Sequence, residues 1–211
     1  MTKNLPFDDH VAEYEAWFER YPFVFETELA AIKKIWPVEK DAMTLEVGSG
    51  TGRFSKALGI RSGLEPSAGM DAIAEERGIE TVRGVAEEMP YQNQQFDVVL
   101  MNFCISYFEN LQRAFAEAFR VLRSGGVLIV GFIDKNSLLG KYYEGKRNKS
   151  VFYKSANYYS VNEVEEKMKA AGFKTQEIFQ TLFNDLDKTN EVEPLVTGSG
   201  KGSYILIKAT K

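Results

Sequence analysis

Histidine and cysteine are almost missing from this sequence, whose 211 residues hold one of each, His10 and Cys104. Imidazole is the usual general base near neutral pH and the commonest metal ligand, so His-built metal sites and Ser/His/Asp or Cys/His groupings are excluded and no metal is expected. His10, in the polar start of the chain, reads as an exposed side chain without a role. Cys104, inside an apolar run, reads as a small core hydrophobe. One thiol also excludes a disulfide framework. Positive charge is not in excess: 26 Lys and Arg stand against 30 Asp and Glu, a net of −4. Such a chain lacks the broad field by which proteins hold nucleic acid. It shows neither a charged-then-apolar leader nor an apolar stretch long enough to cross a bilayer. The expectation is a cytoplasmic protein with neither nucleic acid nor membrane as partner, whose chemistry runs without imidazole.

What is present alternates between two periodicities. From Val11 to Ile35 large apolar residues recur at helical spacing, interrupted at Pro22 and closed before Pro37, which predicts two helices. Strands are expected at Met43–Val47, Ile60–Leu64, Glu80–Gly84, Phe96–Phe103 and Val127–Ile133, with helices between them. Ser67 is placed to cap one helix and Ser160 with Glu163 to form a capping box on another. Strands at Phe173–Phe179 and Ser203–Ala209 follow. Alternating strands and helices predict an α/β fold, a parallel sheet with helices on both faces, and the length suits one domain.

Gly48, Gly50 and Gly52 come straight after the first strand, where glycine lets a backbone turn sharply and a ligand approach closely. The spacing is G-x-G-x-G. A dinucleotide fingerprint would need its last glycine at Arg53, and a Walker loop would need a Gly-Lys-Ser/Thr ending. Glu65 ends the second strand, where an ionised carboxylate suits both hydroxyls of a ribose because it only accepts hydrogen bonds. A plain tight turn, and an acid that favours the amino end of the Ser67 helix, are the alternative readings of these residues.

Taken together, Glu46-Val47-Gly48-Ser49-Gly50-Thr51-Gly52, Glu65-Pro66-Ser67, Gly84-Val85-Ala86-Glu87-Glu88-Met89-Pro90-Tyr91, Phe96-Asp97-Val98-Val99 and Leu122-Arg123-Ser124-Gly125-Gly126 resemble the class I S-adenosylmethionine-dependent methyltransferases. The resemblance covers about residues 41–134. It implies a Rossmann-like, doubly wound sheet of seven strands, mostly parallel with an antiparallel last strand. It also implies S-adenosyl-L-methionine as cofactor, S-adenosyl-L-homocysteine as product, and a site across the carboxyl ends of the first, second and fourth strands. By that resemblance Glu46 and the backbone of Gly48, Ser49, Gly50 and Gly52 hold the methionine part and Glu65 the ribose, with Pro66 and Ser67 beside it. Met70 lies near the adenine, Ala86 offers it a backbone N–H, and Asn102 and Phe103 border the methyl group. The family's usual acid after the third-strand glycine is replaced by Val85, which leaves Glu87 as the substitute. The short connection from Gly52 to Glu65 implies a truncated helix.

The expected organisation is a single domain: a helical cap (1–40), a cofactor-binding core (41–134), a lid insert (135–160) and a closing helix and strands (161–211). The insert carries Lys141, Lys146 and Arg147 among Tyr142 and other aromatics, which suggests a lid over an acceptor with a negative group. Tyr14, Tyr21, Phe103 and Tyr107 are candidates for contact with the sulfonium or the acceptor. Asn102-Phe103-Cys104-Ile105 lacks the Asp/Asn-Pro-Pro-Tyr signature of enzymes that methylate amino groups of nucleic acids, and one cysteine rules out multi-thiol methylation chemistry. A small-molecule acceptor, methylated by in-line displacement, is the reading that follows. A non-catalytic adenosyl-binding module and a nicotinamide-dependent oxidoreductase are the alternatives.

Overall fold

The computed structural model describes residues 7–37 and 41–211. The outer residues of the expected cap, 1–6 and 38–40, lie outside this range. Two helices open it, α1 (Val11–Arg20) and α2 (Pro22–Ile35), and Pro22 divides them because a proline at the first helical position gives up no needed N–H. Then come β1 (Thr44–Val47), α3 (Arg53–Leu58), β2 (Ser62–Leu64), α4 (Ala68–Glu76), β3 (Glu80–Val82), β4 (Phe96–Asn102), α5 (Leu111–Val121) and β5 (Leu122–Ile133). The remainder is α6 (Leu138–Gly145), α7 (Val151–Lys154), α8 (Val161–Ala170), β6 (Lys174–Thr181), β7 (Val196–Thr197) and β8 (Tyr204–Thr210).

The strands form one sheet in the order β3-β2-β1-β4-β5-β8-β6-β7. From β3 to β5 every pairing is parallel, and β8 enters antiparallel between β5 and β6. Among the described residues the sheet has eight strands where seven were expected. The extra one, β7, is a two-residue edge pairing with both side chains exposed, so it leaves no apolar alternation to read. The short first helix is as expected, six residues in α3.

The apolar run of β4 splits between two cores, as a strand covered on both faces must. Val99 and Met101 pack towards α5 and α8, while Val98 and Leu100 pack towards α2, α3 and α6. The segment 135–160, expected as a lid insert, folds into helical turns. Ser137 caps α6 by accepting from the Gly140 N–H at 3.0 Å, and Leu139 and Tyr143, four apart, bury one face. The capping box at Ser160 and Glu163 is formed at the start of α8. No helix among the described residues is long and apolar enough to cross a membrane.

Candidate functional site

The carboxyl ends of β1, β2, β4 and β5 open into a cavity of about 910 Å³, roofed by α1 and by the segment from α6 to Tyr158. Gly48, Gly50 and Gly52 all take positive φ, at 67°, 53° and 75°. At Gly48 glycine is obligatory: a Cβ would stand 2.5 Å from the Cys104 Cβ, and its N–H is bound to the Leu64 carbonyl at 2.7 Å. Gly48 and Gly50 line the cavity, while Gly52 faces Ile79 and Ala74 behind it.

Glu65 is 5% exposed, and its two carboxylate oxygens accept from the Gly50 N–H at 2.8 Å and the Ser67 N–H at 2.9 Å. Burial pushes its carboxyl up to about 7, against the pull of those two backbone donors. Each oxygen keeps a lone pair, and the residue borders the cavity. Glu46 lies deeper. It accepts from the Ser55 hydroxyl and is pushed up to about 8 by burial, with Ser55 opposing and Glu65 adding to the rise. Ser49 is buried against Gly63, and Ser67 caps α4 by accepting from the Met70 N–H at 3.3 Å. Glu46, Ser49 and Ser67 therefore support the wall from behind, whereas Pro66, Met70, Ala86 and Glu87 form part of it. One oxygen of Glu87 accepts from the Asn110 N–H at 3.0 Å.

A latch holds α1 over the glycine loop. Glu15 accepts from Arg53 at 2.7 Å, from the Thr51 hydroxyl at 2.6 Å and from Arg77 at 2.5 Å. Burial would raise its carboxyl, but the Arg77, Arg53 and Thr51 donors outweigh that and hold it down at about 2. The latch sets Tyr14 in the cavity, its hydroxyl 3.2 Å from where a Cβ on Gly50 would stand. Burial, with Glu46 and Glu65 nearby, pushes that phenol well up, so it stays neutral.

At the end of β4, Phe103 sits at φ 58°, a strained value for a side chain of this size. Its N–H is held by the Gly131 carbonyl at 2.8 Å, and its ring stacks on Tyr204 at 5.0 Å. The Tyr204 hydroxyl donates to the Asn102 Oδ1 at 2.7 Å, which leaves the buried Asn102 Nδ2 without a partner. Asn102, Phe103 and Tyr107 line the cavity, and Tyr107 meets Phe7 edge-on at 4.9 Å.

The remaining expected residues lie elsewhere. Tyr21 packs on Trp17 at 5.5 Å, away from the cavity wall. Lys141 and Tyr142 are exposed, and the Lys146 ammonium sits over the Tyr142 ring at 4.2 Å on the outer surface. Arg147 donates to the Ala156 carbonyl at 2.8 Å and so braces the segment. The inner face of the segment is made instead by Leu139, Tyr143, Phe152, Tyr153, Asn157 and Tyr158. The Asn157 N–H docks it on the Ser106 carbonyl at 2.7 Å. Sequence reasoning also passed over Glu28. Its signal was there, an acid set into the Val24, Ala31, Ile32, Ile35 stripe of α2.

A family model described as a methyltransferase domain matches residues 45–130. The chain is 40% identical to an uncharacterized protein of Methanocaldococcus jannaschii over 97% of this chain and 98% of that one. With the demethylmenaquinone methyltransferase of Chlorobaculum tepidum it shares 32% identity over 69% of this chain and 71% of the other. The crystal structure of an S-adenosylmethionine-dependent methyltransferase, possible histamine N-methyltransferase, from Thermotoga maritima superposes with a TM-score of 0.94. That pair is 41% identical, and the match covers 98% of each chain.

Proposed function

The chain belongs to the class I S-adenosylmethionine-dependent methyltransferase family, and on that premise we propose that its cavity serves methyl transfer to a small-molecule acceptor. The observation that carries this reading is Glu65, a buried carboxylate gripped from behind by two backbone N–H groups and bordering the cavity in front. The residues fit the cofactor. Glu65 supplies acceptor oxygens for a ribose diol, and the side-chain-free Gly48 and Gly50 leave backbone open to the methionine part. Pro66 and Met70 give an apolar bed for an adenine, with Ala86 at its edge. The orphaned Asn102 Nδ2 is a donor in need of a ligand acceptor. The volume lies near the upper end of the roughly 300–1,000 Å³ common for ligand sites, enough for a nucleoside and a small acceptor side by side.

When bound, S-adenosylmethionine supplies a methyl group already activated on a sulfonium. What is left to the protein is alignment and the exclusion of water. Tyr14 and Phe103 wall the place where the two ligands would meet, and the segment 135–160 covers it as a lid. A small acceptor is also in keeping with the name of the Chlorobaculum relative. The test is calorimetry with S-adenosylmethionine and S-adenosylhomocysteine, for which one site per chain is expected. Absence of binding by both would overturn the proposal.

A further inference from the structure

Glu28 is a buried acid of the cavity that the cofactor reading leaves unused. It sits four residues after Val24 and four before Ile32, on the face that α2 turns to the core, and is 2% exposed. Its side chain borders the cavity, and Oε2 has no hydrogen-bond partner. Burying a carboxyl without a donor is costly, so natural proteins seldom keep one without a reason. Glu28 stands near enough to three phenols to help raise each of them: Tyr14 from α1, Tyr143 from α6 and Tyr204 from β8. All three are kept neutral by burial, and the Tyr204 hydroxyl is already committed to Asn102.

Among the described residues no cation pairs with Glu28, and Arg113, the cation in the cavity lining, reaches Glu88 at 3.9 Å. Arg53, on α3, and Arg77 both close on Glu15, Arg147 is tied to Ala156, and Lys146 lies outside on Tyr142. Burial alone holds the Glu28 carboxyl far above the usual carboxylate range. An acid with no counter-ion, walled by aromatic rings, is matched by a ligand that brings positive charge: the carboxylate pairs with it and the ring faces attract it.

We propose that Glu28 recognises the acceptor, and that the acceptor is an amine whose basic nitrogen pairs with this carboxyl while Phe103 and Tyr143 cover its carbon frame. The inference rests on reading the cavity as the methyltransferase site. Pairing moves one proton: the acid enters protonated, the amine enters as ammonium, and the acid's proton leaves to solvent as carboxylate and ammonium form.

The experiment is calorimetry on the full chain saturated with S-adenosylhomocysteine. The probes are a panel of aryl-alkyl amines headed by 2-phenylethylamine, each with its alcohol counterpart such as 2-phenylethanol. At least one amine is expected to bind ten times or more tightly than its alcohol. Its binding heat should also vary with the ionisation enthalpy of the buffer, which reports the released proton. Glu28→Gln should lose both signatures while holding S-adenosylhomocysteine within about threefold of wild type, and Glu28→Leu should behave likewise if the amide is poorly tolerated. Amines that bind no better than alcohols, or a preference that survives both substitutions, would overturn the assignment of Glu28 alone. Failure of wild type to bind S-adenosylhomocysteine would overturn the cofactor reading and this one together.

Discussion

Glu65 does two jobs with one carboxylate, pinning the backbone of Gly50 and Ser67 and facing the cavity. Glu65→Ala should therefore weaken S-adenosylmethionine binding by about 2–4 kcal/mol, from two charge-assisted hydrogen bonds. It should also lower the stability of the empty protein by about 1–3 kcal/mol, because two buried N–H groups lose their acceptor. Titration calorimetry and thermal melts read the two effects separately, and an unchanged affinity would leave Glu65 a purely structural residue. The buried acids also set a pH dependence. Glu46 and Glu65 are raised to about 8 and about 7, so the folded chain binds more protons than the unfolded one above the usual carboxylate value of 4.5. Their contribution is full below that value and is lost as pH rises through 7 to 8. Glu15 runs the other way: held near 2, it contributes above 4.5 and loses its effect as pH falls towards 2. Thermal midpoints of the empty protein should fall between pH 5 and pH 8, and fall less in Glu46→Gln. A midpoint that rises over that range would contradict the assignment.

The segment from α6 to α7 shows how an element's face decides which of its residues meet a ligand. Its cations drew attention in the sequence, but α6 buries Leu139 and Tyr143 and so turns Lys141, Tyr142 and Lys146 to solvent. If the segment chooses the acceptor, it does so through its inner tyrosines. Changing Lys141 and Lys146 together to serine should leave acceptor turnover within about threefold. Tyr143→Leu, which keeps bulk but loses the ring, should lower kcat/KM for the acceptor at least tenfold, about 1.4 kcal/mol, with S-adenosylmethionine affinity little changed. Steady-state kinetics on an amine found by labelled methyl uptake gives the comparison, and equal losses in both variants would show that the outer cations matter after all.

Across the whole molecule the sheet separates two cores, and β4 belongs to both. Leu100, fully buried in the core under α2, also supports the helix that carries Glu28. Leu100→Ala should destabilise by about 2–5 kcal/mol. Ligand binding works in the opposite sense. A cofactor that binds only the folded chain, at a hundred times its Kd, adds about 2.7 kcal/mol. For a domain of this size that is a rise in thermal midpoint of roughly 5–10 °C, and a melt with S-adenosylhomocysteine that shows no rise would argue against a preformed site.

The cofactor half was legible in the order of residues because its parts are short and local. A glycine loop after a strand and an acid at the next strand's end are made by contiguous backbone, and only glycine fits where φ is 67° and Cys104 is against the Cα. The parallel sheet and the places of most strands and helices followed from apolar periodicity for the same reason, although β5 begins at Leu122 rather than at the expected Val127. β7 did not, since two exposed residues carry no period. The acceptor half was not legible either. Glu28, Tyr143 and Tyr153 come from α2, α6 and α7, and each is an ordinary residue where it stands in the chain, whereas Phe103 at the end of β4 was expected at the methyl group. Local patterns determine which way a strand or helix runs, but only packing decides which side chains share a wall. Here the sheet, the Glu15 latch and the fold of residues 135–160 made that decision, by bringing the buried Glu28 and a set of rings to one cavity.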